Sequence, residues 1–364
     1  MKRNKSLPII ATLGSHSALD VCSGAKMHAF KTLVVAARGR EKTYTEYFYR
    51  KGKTGCVDEV ILLDSFDEIL HEKIQKKLQK KSLVFLPNRS FEVYLRSDYD
   101  AIENDFHVPI FGNKYLLRME ERTGAMTQYA ILAKAGIRAP KEFSNPESID
   151  RLCIVKVGQK EKSFERAFFF VSTPKEFRKE FALRVKNGRI DKKASVRIEE
   201  YVLGAQVNLN FFYSPLDKKL ELLGTDTRRQ TNISGFLSLP ARHQLLISDS
   251  TNMTFEEAGH NAVTILESML EPAFELGERF VTACKTFHPK GIIGPFSLQC
   301  SIVPTANGKE FVVFDVSPRM PGSPGISATP YTTYRYGKPM SVGERCALEI
   351  KKAVILDQLN KVTT

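Results

Sequence analysis

The first third of the chain alternates short apolar runs with longer stretches whose apolar positions recur at helical spacing. Ile9–Leu13, Thr32–Ala36, Val60–Asp64 and Leu83–Pro87 read as strands, and Ser17–Phe30 and Phe66–Lys81 read as helices. Such alternation over residues 1–112 predicts a parallel, doubly wound sheet. Ligands of these sheets sit beyond the carboxyl ends of the strands. Gly14-Ser15-His16 follows one such end and Asn88-Arg89-Ser90 another, so the two loops are expected to face one pocket. At the first, Ser15 or Ser17 is placed to cap the next helix, or the helix amides to meet an anion.

The pattern then changes. A polar-apolar helix is predicted over 114–135, stopping at Ala135-Gly136. A smaller α+β unit follows, with strands at Leu152–Val157, Ala167–Val171 and Val196–Val202 and a helix at Pro174–Lys186. Beyond it, Gln206–Tyr213 and Leu220–Thr225 flank the turn Ser214-Pro215-Leu216-Asp217, a helix is read over 256–286, a hairpin over 293–317 and a closing helix over 341–358. The expected units are 1–112, 113–203 and 204–364, of mixed α/β and α+β class.

Composition adds limits. The chain has 364 residues, 42% of them hydrophobic and 26% charged, with no apolar run long enough to span a bilayer. Met1-Lys2-Arg3-Asn4-Lys5 resembles the basic front of a signal peptide, but the apolar stretch behind it ends at Leu13, and a first strand accounts for it better. Six scattered cysteines, without a CxxC pair, point to a reducing cytoplasm and against disulfides or a structural metal. The net charge of +13 fits either nucleic acid or a phosphorylated ligand with diffuse surface charge. The densest run, Lys73 to Lys81, carries apolar residues at helical spacing and reads as a solvated helix face. No aromatics interleave with its lysines, which argues against a single-strand stacking platform.

The hairpin carries the chemistry. With its turn at Ala306-Asn307-Gly308, Gly294–Val303 pairs with Glu310–Ser317, and alternation puts Phe296, Leu298, Cys300 and Ile302 on one face with Val312, Phe314 and Val316. Ser297, Gln299 and Ser301 occupy the other face with Val313, Asp315 and Ser317, and Gln299 lies across from Asp315. Ser317-Pro318-Arg319 then adds a hydroxyl and a guanidinium before a loop rich in glycine and proline. Few protein oxygens at this spacing suit Mg²⁺, which completes its shell with phosphates and water.

Phe314-Asp315-Val316-Ser317-Pro318-Arg319 resembles the metal strand of ATP-grasp enzymes: acid, aliphatic, Asn or Ser, Pro, Arg. The stretches IATLGSHSALDVCSGAK, VPIFGNKYLLRMEERT, RIEEYVLGAQVNLNFFYSPLDKKLELLGTD and GIIGPFSLQC are similar, in order, to the archaeal formate-dependent FAICAR synthetases. The resemblance runs from about residue 9 to the end. It implies an ATP-grasp fold behind the doubly wound domain, and a ligase in which ATP phosphorylates formate and the amine of aminoimidazole-carboxamide ribotide (AICAR) attacks formyl phosphate. It also implies Mg²⁺, with Mn²⁺ as a substitute, small-molecule partners, no nucleic acid or membrane, and a homo-oligomer in the cytoplasm. Carried onto this chain, His16, Ser90 and Asn261 contact the ribotide, with His16 also a proton acceptor. Lys156 reaches the ATP phosphates, Glu199 and Glu200 line the adenine-ribose hinge from opposite faces of their strand, Gln299 and Asp315 hold the metal, and Arg319 stabilises the phosphoryl group in transit.

Three departures stand out. Family members follow the strand lysine with a glycine-rich phosphate lid, but here Lys156 to Arg166 holds only Gly158, leaving Lys160, Lys162 and Arg166 as side chains that could grip phosphate. Gln230 stands where an acidic ATP-binding residue is expected, and Asp315 replaces the usual Glu. The eroded lid keeps a second reading open, an ATP-grasp paralogue with another substrate or little turnover. A nucleic-acid-binding protein is a third reading, resting on net charge alone.

Overall fold

The computed structural model describes residues 6–121, 124–157, 168–306 except 248–254, and 308–364. Lys160, Lys162 and Arg166 lie outside the described residues. The first unit is a parallel sheet of β1 (Ile9–Leu13), β2 (Thr32–Ala37), β3 (Glu59–Leu63) and β4 (Leu83–Leu86), in the order β3-β2-β1-β4. Both faces are covered, as the apolar runs require. Leu33, Val35 and Phe85 face Phe91, Ile102 and Phe106, whereas Ile10, Val84 and Leu86 face Val21, Ala25 and Phe30. The helix expected over Phe66–Lys81 is a 3₁₀ turn, Phe66–Leu70, and, past an extended His71, the helix Glu72–Gln79, with Lys73, Lys76, Lys77 and Lys80 exposed beside a buried Leu78.

The smaller sheet has the order β5 (Glu142–Phe143), β8 (Val196–Glu200), β6 (Cys153–Val157), β7 (Phe168–Val171), with the helix Pro174–Lys186 packed on it. The large sheet is antiparallel: β11 (Phe255–Val263), β10 (Lys219–Thr231), β9 (Ala205–Ser214), β12 (Gly294–Thr305), β13 (Gly308–Ser317). Its apolar face packs on the helix Leu270–Phe287 through Phe211, Phe296, Leu298, Phe280 and Cys284.

Four further expectations change. Residues 255–263, read as the start of a helix, form the edge strand β11 on β10, and the helix begins only at Leu270. The helix expected over 114–135 is divided into a 3₁₀ segment, Lys114–Glu120, and a helix Gln128–Lys134 capped by Thr127. Gly124 between them takes φ 100°, a conformation that ends a helix. The closing helix, Val342–Ile355, belongs to the first unit's packing: Val342, Cys346 and Ile350 join Val21 and Ala25, so the 204–364 unit is not closed on itself.

The hairpin's register is the fourth. Thr305 pairs with Gly308, one residue tighter than a turn centred on Asn307, and a β-bulge between Gln299 and Cys300 restores the count, so that Gln299 still faces Asp315. Phe314 is the extra residue. Val313, Phe311 and Val316 therefore enter the core with Leu298 and Cys300, while Val312 pairs with Ser301 and Phe314 turns to the cleft.

Gly24 and Gly343 let the helices Ala18–Met27 and Val342–Ile355 touch backbone to backbone: a Cβ at Gly24 would fall inside the main chain of Gly343 and Glu344. Gly24→Ala should destabilise the fold by about 1–3 kcal/mol, or more, through overpacking. A lowered thermal midpoint with unchanged far-UV circular dichroism at low temperature checks it.

Candidate active site

A cavity of about 650 Å³ lies between the three sheets. His16, Ser90, Lys156, Glu199, Glu200, Gln299, Asp315 and Arg319 all line it. Eight of the thirteen expected residues thus meet in one cleft, although they come from all three units.

At the amino-terminal end, the loop after β1 is tied to the loop after β13. The Ser17 hydroxyl donates to the Pro321 carbonyl at 2.7 Å instead of capping its helix. The His16 ring lies so close over Gly322 that a Cβ there would overlap it. Asn88 caps the next helix by accepting from the Phe91 amide and donates to the Leu13 carbonyl at 3.0 Å, which sets the neighbouring Ser90 at the cavity wall.

Beside it, Arg319 is buried. Its Nε donates to Glu92 at 2.8 Å, one terminal nitrogen to the Met320 carbonyl at 3.1 Å, and the other lies 3.0 Å from Glu120. Arg89 pairs with the same Glu120. Burial and Glu120 push the Glu92 carboxyl up from the ordinary range, against the pull of Arg319 and Arg89. The carboxylates around Arg319 are therefore interior ones from the amino-terminal unit and the connection that follows it.

At the opposite end, Lys156 Nζ donates to Glu199 at 2.7 Å and to the Phe314 carbonyl at 3.2 Å, which the bulge presents. Glu200, next along β8, lies half-buried 3.5 Å from Arg151. Phe168, Phe170 and Tyr201 line this end, with Phe170 edge-on to Tyr201 at 5.2 Å. These flat apolar groups were legible only as a strand's alternation.

Between the ends runs a row of polar side chains across four strands: Asp315, Gln299, Asn208 and Asp226 are successive register partners. Asp226 is fully buried and accepts from Asn208 at 2.8 Å and Asn210 at 2.6 Å, with His260 Nδ1 at 2.5 Å. Burial raises its pKa, but those three hydrogen bonds outweigh burial and hold it below the usual carboxylate range. Sequence reasoning missed this cluster; the alternation of Asn208 and Asn210 along an apolar strand was its only signal. Asn261 points away: it is exposed, one residue past His260, and does not line the cavity. The helix read over this stretch is strand there, and alternation gives the inward place to His260. Gln230 lies on β10, but nothing is described of its side chain.

Residues 10–143 match a family described as a protein of unknown function (DUF1246), and residues 176–364 one described as a domain of unknown function (DUF1297). The chain is 36% identical over 367 residues to the 5-formaminoimidazole-4-carboxamide-1-(beta)-D-ribofuranosyl 5'-monophosphate synthetase of Methanocaldococcus jannaschii, covering 99% of this chain and 96% of that one. It is 35% identical to the synthetase of that name from Methanobrevibacter smithii, over 98% and 94%. The chain belongs to this synthetase family. A crystal structure of an IMP biosynthesis protein PurP from Thermococcus kodakaraensis superposes with TM-score 0.70 at 24% identity, over 98% of this chain and 100% of that one. N5-carboxyaminoimidazole synthetase from Staphylococcus aureus follows at 0.61 and 15%, over 96% and 79%. The synthetase fold is thus ATP-grasp, as the metal-strand pattern implied.

Breaking a buried ion pair costs about 3–5 kcal/mol because the partner charge stays behind. Arg319→Met, which strands Glu92 and leaves Glu120 to Arg89 alone, should therefore lower stability by that order in chemical denaturation; an unchanged midpoint would contradict the pairing.

Proposed function

We propose that the chain is an ATP- and formate-dependent ligase that formylates the amine of AICAR to give FAICAR, in IMP biosynthesis. The observation that carries this reading is the convergence of His16, Ser90, Lys156, Gln299, Asp315 and Arg319 on one cavity within this synthetase family. ATP transfers its terminal phosphoryl group to a formate oxygen. The amine nitrogen then attacks the formyl carbon; the new C–N bond forms as the C–O bond to phosphate breaks, and the amine loses a proton.

The two ends of the cleft suit the two large substrates. Phe168, Phe170 and Tyr201 offer apolar surface to a purine, and Lys156 lies beside them for the phosphates. The loops at His16 and Ser90 take the ribotide, with the His16 ring held against Gly322. ATP is the shared cosubstrate of the fold. For Mg²⁺, or Mn²⁺ in its place, the donor set is Asp315 and the Gln299 carboxamide on facing strands. One carboxylate and one neutral oxygen fit an ion that takes its remaining ligands from phosphates and water. The ion would offset phosphate charge when bound. Asp226 is unsuited to join them, since its oxygens already accept from two asparagines and face His260.

Purified protein given ATP, Mg²⁺, formate and AICAR should release ADP only when all four are present, with FAICAR as product. Asp315→Asn should abolish turnover and leave the unfolding midpoint nearly unchanged. His16→Ala should raise KM for AICAR by about tenfold, the loss of one polar contact of about 1.4 kcal/mol, without moving KM for ATP. ADP release indifferent to formate and AICAR overturns the reading.

A further inference from the structure

Four basic side chains line the described part of the cleft: Arg89, Lys156, Arg228 and Arg319. Three are neutralised. Arg319 meets Glu92 and Glu120, Arg89 shares Glu120, and Lys156 meets Glu199. Arg228 is different. It is half-buried, its Nε is shut from water without a hydrogen-bond partner, and no carboxylate among the described residues pairs with it. The acid nearest along its strand, Asp226, is already engaged by Asn208, Asn210 and His260.

A guanidinium half out of water with no carboxylate among the described residues raises the free energy of the empty site, and an oxyanion arriving there removes that penalty. Its planar fork suits two coplanar oxygens. Place narrows the choice of anion. Arg228 lies on β10, opposite His260 in register and on the same sheet face as Asp226 and Gln299. Arg228 lies two strand spacings across from Gln299 and two residues further along, about 12 Å in all. An arginine side chain and a three-heavy-atom anion fill that span together. The nucleotide end has Lys156 and the aromatics, and the ribotide end has His16 and Ser90. A one-carbon carboxylate has no handle besides its two oxygens.

We propose that Arg228 is the binding residue for formate, presenting its carboxylate toward the Gln299–Asp315 pair. The inference rests on the ligase reading above. It also explains why Arg319 need not serve as the anion's clamp, since its buried donors are committed to the amino-terminal unit.

The test compares wild type, Arg228→Met and Arg228→Lys, varying formate, ATP and AICAR in turn. Arg228→Met should raise KM for formate at least tenfold, with KM for ATP and AICAR within twofold of wild type. Added guanidinium ion should restore part of the loss. Arg228→Lys, which keeps charge without the fork, should fall between. Independently of turnover, formate should raise the thermal midpoint of wild type in the presence of a non-hydrolysable ATP analogue and leave that of Arg228→Met unmoved. An unchanged formate KM, an equal midpoint rise in the variant, or a rise in KM for ATP or AICAR instead overturns the assignment. Wild-type ADP release that ignores formate overturns the ligase reading, and this inference with it.

Discussion

Two arginines and two glutamates meet out of water where the amino-terminal sheet joins the hairpin, and the cleft's geometry follows from them. Glu92 and Arg89 come from the helix after β4, Glu120 from the connecting 3₁₀ segment, and Arg319 from the residue pair beyond β13. Each charge alone would be costly to bury, and the set is tolerated because its formal charges sum to zero and its donors find acceptors. Such a cluster fixes direction as well as distance, since a guanidinium bonds in its own plane. It sets the strand that carries Asp315 against the helix start that carries Ser90. Apolar packing between the closing helix and the Ala18–Met27 helix holds the same two units together from behind.

The large sheet is built for one polar face. Its strands send Phe211, Leu209, Phe296 and Leu298 into the core and Asn208, Asn210, Ser297 and Gln299 into the cleft. Buried amides are tolerable only when they find partners, and Asp226 supplies one for Asn208 and Asn210 together. A carboxylate with three hydrogen bonds keeps its charge in the interior, so the row Asp315, Gln299, Asn208, Asp226 has an acid at each end and neutral amides between. The bulge at Phe314 serves the same face: the extra residue turns a carbonyl to Lys156 and an aromatic ring to the cavity.

How far the letters alone carry depends on the kind of constraint. The parallel sheet was legible because four apolar runs had no other way to be buried. Pro174–Lys186 matched its helix at the start because Thr173 accepts from the Glu176 amide with a proline at the first turn, and at the end because Gly188 follows at φ 65°. The facing of Gln299 and Asp315 was legible, yet through two compensating differences, a tighter turn and a bulge, that no count of alternation contains. Phe255–Val263 was misread because an edge strand is decided by its neighbour β10 and not by its own propensity. The outward place of Asn261 follows from the same change, since strand and helix point different residues inward. Pairings between distant segments, Arg319 with Glu92 or Asp226 with His260, leave no local trace. Arg228 left no local trace either, since the lack of a carboxylate beside it among the described residues exists only in three dimensions.

The charge of the chain divides along the same line. At contact distance the described part of the cleft is nearly neutral, because three of its four cations are paired, while the lysines of Glu72–Gln79 stand exposed outside it. Exposed charge acts over about 8–10 Å in physiological salt, so it draws anions to the molecule without choosing among them. Choice belongs to groups inside the cavity, where water is scarce and each hydrogen bond counts for more. A surplus of +13 and a selective anion site are therefore separate properties of this protein. Raising ionic strength weakens the first, while the second persists in proportion to how deeply its cations are enclosed.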